Sequence, residues 1–376
     1  MKARTVTSHD VARLAGVARS TVSHVLNGSN AVRLSEETRD KVRQAALKLG
    51  YRPNSAALML RHGTTKTVGL LVTQAQSLTV DQYISLLFSG IGHVLRREGY
   101  HLLLETFDHA SHRLDELHPR PRAAPHATDS TPGAHPDATP EATAHTDRYA
   151  DLVLTQRIDG LIVLSPDPTS DELRSLVDGG FPIVLIGSIG SPNEVSIEGE
   201  VKEAMAAAVK HLVELGHRHI GCIPFSPPGF PASDLRTGML RELLQEHGLE
   251  LPDDAIEPAA FSAASGHQAA RALLTRRPQL TALLAGNDTI ALGVLGGAAA
   301  QGRSVPGDLS VIGFDDLPFA AYMHPALTTI RQDAVAQGEA AAELLVARLT
   351  GTQCKTQPAG KAVFVPRQST GPAPHH

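Results

Sequence analysis

Apolar positions recur at two different periods along the chain. Through residues 7–49 they follow the three- and four-residue spacing of amphipathic helices, and from Thr67 they gather into short runs separated by helical stretches. Three short helices are predicted first. Thr7 is placed to cap the first, with Asp10 three residues on as its capping-box partner and Val11, Ala12, Leu14 and Ala15 as its apolar face. The second covers residues 19–26, buries Val22, Val25 and Leu26, and stops at Asn27-Gly28. The third begins at Ser35, carries Glu36 and Glu37 in its first turn where they complement the helix dipole, and ends before Gly50.

Beyond Thr67 the runs 68–72, 102–104, 161–164, 183–186, 220–223, 282–284 and 311–314 read as buried strands. They alternate with helical stretches such as 83–97, 200–215, 267–276 and 290–300. That alternation predicts a doubly wound α/β body of two parallel sheets, each covered on both faces. Residues 118–147 break the pattern, since they hold no Val, Ile, Leu, Met or aromatic residue and are rich in Pro, Ala, Thr and His. They cannot offset the entropy of ordering and are expected to form a disordered insertion. Its histidines, His118, His126, His135 and His145, are too widely spaced to suggest a metal tract.

Composition adds an asymmetry of charge. The chain has 376 residues, 42% of them hydrophobic, and a net charge of −5. Residues 1–61 nevertheless hold eleven Lys or Arg against four Asp or Glu. A basic head on an acidic body points to a polyanionic partner for the head alone. The two cysteines, Cys222 and Cys354, have neither disulfide-framework nor zinc spacing. No run approaches a membrane span and the polar N-terminus lacks a signal-peptide core, so a cytoplasmic, nucleoid-associated protein without membrane contact is expected.

In residues 10–23, Ala12, Gly16 and Val22 stand at helix-turn-helix spacing: the small residue lets two helices approach, and the glycine permits the turn between them. An ordinary helical hairpin has the same triplet, so the surrounding motifs decide. The stretches Thr21-Val22-Ser23-His24-Val25-Leu26-Asn27-Gly28, Ser35-Glu36-Glu37-Thr38-Arg39 and Leu49-Gly50-Tyr51-Arg52-Pro53-Asn54 closely resemble the lactose-repressor/purine-repressor family of bacterial transcription regulators. The likeness continues through Arg157-Ile158-Asp159-Gly160, Leu215-Gly216-His217-Arg218-His219-Ile220-Gly221, Ala285-Gly286-Asn287-Asp288, Val311-Ile312-Gly313-Phe314-Asp315-Asp316 and Pro325-Ala326-Leu327-Thr328-Thr329-Ile330.

This resemblance implies an all-α helix-turn-helix head over residues 1–52, then a hinge helix and linker over 53–66. A periplasmic-binding-protein-like core of two subdomains follows over 67–368, with a flexible tail over 369–376. One subdomain is expected to comprise residues 67–187 and 331–354, the other 188–330 and 355–368. The implied function is a homodimeric regulator, a repressor, that binds double-stranded palindromic operator DNA and responds to a small-molecule effector, a carbohydrate or derivative. Arg19, Ser20 and His24 match positions that face the major groove, while Thr7, Thr21, Ser23, Asn27, Thr38 and Tyr51 match positions near phosphates or sugar edges. Asn54 would cap the hinge helix, and Leu60 matches a leucine pushed into the minor groove. Two bland alternatives remain open, a solvated His24 and a Leu58-Met59-Leu60 run that packs on the core.

Two departures stand out. Ala18 occupies the place of a capping serine in the head, and Leu58 the place of an arginine in the hinge. For the effector, Phe261, Asn287, Asp288 and Asp315 match ligand-binding positions, although capping or turn formation would account equally for Asp288. Counting back from Gly238 puts Leu235 where the family has a clamping arginine, and Arg236 is expected to point elsewhere. Phe230 and the prolines before it then favour a ligand with an apolar portion. A solute-binding protein shares the core fold but not the basic head. An enzyme is disfavoured because no P-loop, GxSxG, HExxH or strand-borne GxGxxG motif occurs. No catalytic residue, metal site or cofactor is expected.

Overall fold

The computed structural model describes residues 6–26, 34–51, 63–73, 77–106, 148–353 and 360–374. It divides into two compact units, residues 1–65 and 66–376. The first contains α1 (Ser8–Ala15), α2 (Arg19–Leu26) and α3 (Glu36–Leu49). The expected caps are formed: Thr7 donates to Asp10 Oδ2 from its backbone N at 3.0 Å and from Oγ1 at 2.7 Å, and Ser35 Oγ accepts from Thr38 N at 3.3 Å. Gly16 takes the left-handed conformation, φ 66°, that turns α1 into α2. Val11, Ala12, Val22, Val25, Val42, Ala45 and Ala46 make a small shared core. Leu14, expected on that face, is 47% exposed. The face is centred on residues 11, 12 and 15, which leaves position 14 roughly 110° away around the helix. The stop at Asn27-Gly28, the hinge with Asn54 and Leu60, and the insertion 118–147 lie outside the described residues.

The second unit is built of two α/β lobes. The chain runs through β1 (Thr67–Val72), α4 (Ser77–Val80), α5 (Gln82–Arg97), β2 (His101–Thr106), α6 (Arg148–Leu154), β3 (Gly160–Leu164), α7 (Asp171–Asp178), β4 (Ile183–Ile186) and β5 (Ser196–Ile197). It then enters the second lobe through α8 (Lys202–Glu214), β6 (Ile220–Ile223), α9 (Pro231–Glu246), α10 (Ala263–Arg276), β7 (Ala282–Ala285), α11 (Asp288–Ala300), β8 (Ser310–Ile312) and β9 (Thr329–Arg331). The helix α12 (Ala334–Thr350) returns to the first lobe, and β10 (Val363–Val365) to the second. The first sheet has the order β2-β1-β3-β4-β5 and the second β6-β7-β8, with every pairing parallel. β3, β4, β6 and β7 are buried along their whole length because helices cover both sides of each sheet. Among the described residues only β9 and β10 pair antiparallel.

Helices meet closely at glycines. A Cβ on Gly90 of α5 would stand 2.1 Å from the Val335 carbonyl oxygen of α12, and one on Gly293 of α11 would stand 2.0 Å from that of Ala263 in α10. Both interfaces therefore bring backbone against backbone, which no larger residue permits.

Two expected boundaries move. The first lobe extends past residue 187, because β5 pairs with β4 through Leu185↔Ser196 and Ile186↔Ile197. The residues expected as a flexible tail are packed as far as the described chain extends. Ser369 is fully buried and donates to Val311 O at 2.6 Å while accepting from Thr328 N at 2.8 Å, and Ala373 N donates to Leu215 O at 2.8 Å. His217, also fully buried, reaches this segment. Its Nε2 faces the acceptor-only carbonyl of Gly371 at 3.0 Å and must carry the proton, so Nδ1 accepts from Thr281 Oγ1 at 2.9 Å. Burial pushes its pKa down, consistent with the neutral ring.

Candidate functional site

In the head, Arg19 and Ser20 open α2 and are exposed. Arg19 Nε donates to Ser8 Oγ at 3.1 Å, a tether that uses one of its five donors. Thr21, Ser23 and His24 are half-buried on the same helix. His24 Nδ1 is buried without a hydrogen-bond partner, so only Nε2 remains for an outside contact. Thr38 Oγ1 lies 2.9 Å from Ser35 Oγ at the start of α3, and Tyr51 packs against the small core. The arrangement presents an arginine at the N-terminal end of an exposed helix, where the helix dipole also favours phosphate.

In the second unit, the carboxyl ends of both sheets open onto one cavity of about 690 Å³, the usual location and size of a small-ligand site in open α/β sheets. Thr73 follows β1, Ser165 follows β3 and Glu198 follows β5 on one wall; Phe225 follows β6, Asn287 follows β7 and Asp315 follows β8 on the other. Phe261, Asn287, Asp315 and Leu235 all line it, as the sequence indicates. Leu235 does so from the rim, 64% exposed.

Two expectations are corrected. Arg236 points into the cavity. Its Nη1 donates to Gly286 O at 2.9 Å, its Nη2 lies 4.0 Å from Asp315 Oδ1, and its guanidinium stacks 3.8 Å from the centre of the Phe314 ring and 5.2 Å from that of Phe225. The rotation of α9 is set by Leu240, Leu243 and Leu244, which are buried on the face that position 236 shares four, seven and eight residues earlier. Asp288 stays out of the cavity. Fully buried, it accepts from Thr329 Oγ1 at 2.6 Å through Oδ1 and from Leu317 N at 2.7 Å through Oδ2, tying the start of α11 to β9.

Asp81, Tyr83, Gln332 and Gln337 also line the cavity and carry no motif in the sequence. The one local signal is the cap: Asp81 Oδ1 accepts from Tyr83 N at 3.0 Å at the start of α5. Its Oδ2 accepts from Asn287 Nδ2 of the other lobe at 3.3 Å, while Asn287 Oδ1 caps α11 by accepting from Ile290 N at 2.8 Å. A second polar chain runs from Tyr83 Oη, which donates to Gln337 Oε1, through Gln337 and Gln332 to Asp315 Oδ1, with Gln332 Nε2 donating the last bond at 3.1 Å.

The apolar part is a trio of rings. Phe225, Phe230 and Phe261 stand edge to face or tilted, with centroids 5.3 to 5.8 Å apart. Three lining residues hold left-handed backbone, Ser165 at φ 53°, Phe261 at φ 59° and Asp315 at φ 103°. Each conformation costs about 1–3 kcal/mol and persists where the surroundings fix a side chain in one direction.

Burial dominates the acids. Desolvation pushes Asp315 up to about 7 and Asp288 up to about 8, and raises Asp81 as well. The native state then holds protons that the unfolded chain has released above about pH 4. Stability from these groups is full at low pH and is lost as pH rises through 7 and 8. Melting temperatures taken between pH 5.5 and 8.5 should fall with pH, and Asp288→Asn, which mimics the protonated acid, should flatten the decline while preserving the melting temperature at the acid end. An unchanged slope in the variant would remove Asp288 from this account.

Among the described residues no group of three or more His, Cys, Asp or Glu is arranged to hold a metal ion, and no helix is long and apolar enough to cross a membrane. Cys222 is buried, and its thiol is pushed up to about 12 by desolvation, which leaves it protonated and unreactive.

Residues 7–54 match the family model described as bacterial regulatory proteins, lacI family, and residues 209–370 match the periplasmic binding protein-like domain. The HTH-type transcriptional repressor PurR of Vibrio vulnificus (strain CMCP6) is 30% identical over 347 residues, which cover 91% of this chain and 92% of that protein. A solved complex of the transcriptional regulator CelR with cellobiose is 29% identical with a TM-score of 0.65, covering 97% of this chain and 99% of that one. The lac repressor dimer bound to operator and the anti-inducer ONPF is 25% identical with a TM-score of 0.78, covering 98% and 100%.

Proposed function

The chain belongs to the lacI family of bacterial regulatory proteins, and on that premise we propose that it is a transcriptional repressor that binds a palindromic operator as a homodimer under the control of a small molecule held between the two lobes of its core. The observation that carries the reading is the exposed start of α2. Arg19 there is free to direct its two terminal amino groups at guanine with Ser20 beside it, while the hydroxyls of Thr21, Ser23 and Thr38 are assigned to phosphates or sugar edges. Asn27, Asn54 and Leu60 extend the same reading into the loop and hinge. The cavity supports the second half, since strand ends from both lobes converge on it and any ligand there contacts both.

A homodimer is supported by exposed apolar side chains on the core, among them Leu292 at 45% and Tyr322 at 89%. Family membership and a DNA-reading head favour residence with the nucleoid. No sequence motif or cluster in the cavity supports a catalytic role: Asp81 accepts from the Asn287 amide and Asp315 from that of Gln332.

A gel shift with the DNA upstream of the protein's own coding region tests the reading. The wild type should form a complex that survives excess random competitor. Arg19→Ala should weaken it by about 1–3 kcal/mol, roughly 5- to 150-fold, and relax preference at one base pair in each half-site. Equal losses on operator and random DNA would make Arg19 a phosphate anchor instead, and no wild-type shift at all would overturn the reading.

A further inference from the structure

The charges that line the cleft do not balance. Glu198, Glu200 and Glu203 border it with Lys202, and Lys361 outside the lining pairs with two of them and offsets one charge, at 3.6 Å from Glu200 and 3.4 Å from Glu203. Inside stand Asp81 and Asp315, on opposite lobes, and, among the described residues, a single cation, Arg236. That cation is already engaged by the Gly286 carbonyl and by the rings of Phe314 and Phe225. It approaches Asp315 no closer than 4.0 Å, and Asp315 Oδ2 receives no hydrogen bond from the described residues. The buried set therefore has one negative charge in excess when both acids are ionised.

We propose that the effector is positively charged: a hydroxylated small molecule with a primary ammonium group that lies between Asp81 and Asp315 and an apolar portion that rests on Phe225, Phe230 and Phe261. The proposal rests on reading the cleft as the effector site. An ammonium supplies three donors, enough for Asp315 Oδ2, Asp81 Oδ2 and one amide oxygen. An anion would meet two carboxylates and a guanidinium committed elsewhere. Desolvation raises both acids and repulsion from Asp81 adds to the rise at Asp315, so near neutral pH Asp315 retains a share of a proton that the ammonium displaces. Tyr83, whose hydroxyl is raised by burial, stays neutral throughout and leaves the balance unchanged.

Three probes that differ only at one carbon decide the matter by calorimetry on the full chain: phenyl 6-amino-6-deoxy-β-D-glucoside, phenyl β-D-glucoside and phenyl β-D-glucuronide. The amine should bind at least about tenfold tighter than the neutral glycoside, and the glucuronide weakest of the three. Binding of the amine near pH 7 should release protons, seen as a dependence of the heat on the buffer's ionisation enthalpy. Asp81→Asn and Asp315→Asn, both of matching shape, should each bring the amine and neutral glycosides to near-equal affinity. Equal or tighter binding of the glucuronide, an amine preference that survives both substitutions, or no binding by any of the three at millimolar concentration would overturn the proposal. The operator gel shift is independent of all three probes, so a regulator that shifts its DNA but ignores the amine fails this inference alone.

Discussion

Alanine at Gly293 should lower the stability of the core by about 2–4 kcal/mol, a net figure after the roughly 1 kcal/mol that alanine gains over glycine in a helix. The added methyl would lie 2.0 Å from the Ala263 carbonyl oxygen and 2.7 Å from His267 N, both backbone atoms of α10 that cannot swing aside. Two helices that share a buried interface would have to part along their length. At roughly 2–4 °C per kcal/mol for a large domain, the melting temperature should drop by about 5–15 °C. Gly238 supplies the contrast. It lies within α9, no atom comes within 4 Å of a Cβ built there, and its backbone is not left-handed. The same substitution at Gly238 should leave the melting temperature unchanged or raise it. Parallel scans of the two variants check this, and similar behaviour in both would mean that α10 and α11 are less closely seated than the backbone contact requires.

Removal of Arg236 should have an effect of similar size with a different dependence on pH. The guanidinium fills the space between Phe314 and Phe225, and it is the positive charge nearest to Asp315 and Asp81. Arg236→Ala forfeits the packing at any pH, and where the acids are ionised it also leaves the buried Asp315 and the half-buried Asp81 without a counter-charge. Loss of one partner from a fully buried pair costs about 3–5 kcal/mol. At 4.0 Å, with the arginine side chain 22% exposed, about 2 kcal/mol is the fitting share, added to about 1 kcal/mol of stacking. The variant's deficit in melting temperature should therefore be larger near pH 8 than near pH 5.5, where Asp315 carries its proton. An equal deficit at both would reduce Arg236 to a packing role. Arg236→Lys should not restore the wild type, because an ammonium cannot stack between two rings and hold a carbonyl at the same time.

Much of this molecule was legible in its sequence because local physics wrote it there. Thr7 with Asp10, and Ser35 ahead of Glu36, announce their helices by hydrogen bonds that span three residues. β1, β3, β4, β6 and β7 announce themselves because burial on two faces demands unbroken apolar runs, whereas β2, expected to be buried, leaves Leu102 and Leu104 exposed at the sheet's edge. Pairings between distant segments left no such mark. β5 is two residues long, and the carboxyl-terminal segment is anchored through Ser369, Gly371 and His217, polar or small residues that read as solvent-exposed until their partners are known. At the cleft, Asn287 and Asp288 are neighbours with opposite fates, and only the geometry of the turn after β7 separates the one that lines the cavity from the one that closes the lobe. Arg236 was hidden by a count from Gly238, although its spacing to Leu240, Leu243 and Leu244 carried the answer.

The seal that Ser369 and Ala373 make against β8 and the end of α8 has a bearing on how the protein comes into being. The head finds all its described partners within residues 6–51, so its fold is complete early in synthesis. The second lobe is interrupted by α12 and cannot close the edge of its sheet until residues 369–373 have been made. For most of its making, the nascent chain therefore carries a finished DNA-reading module ahead of an unfinished sensor. A chain cut short before residue 369, by a premature stop or a protease, lacks the bonds that Ser369 and Ala373 make to Val311, Thr328 and Leu215 and leaves that edge of the second lobe open.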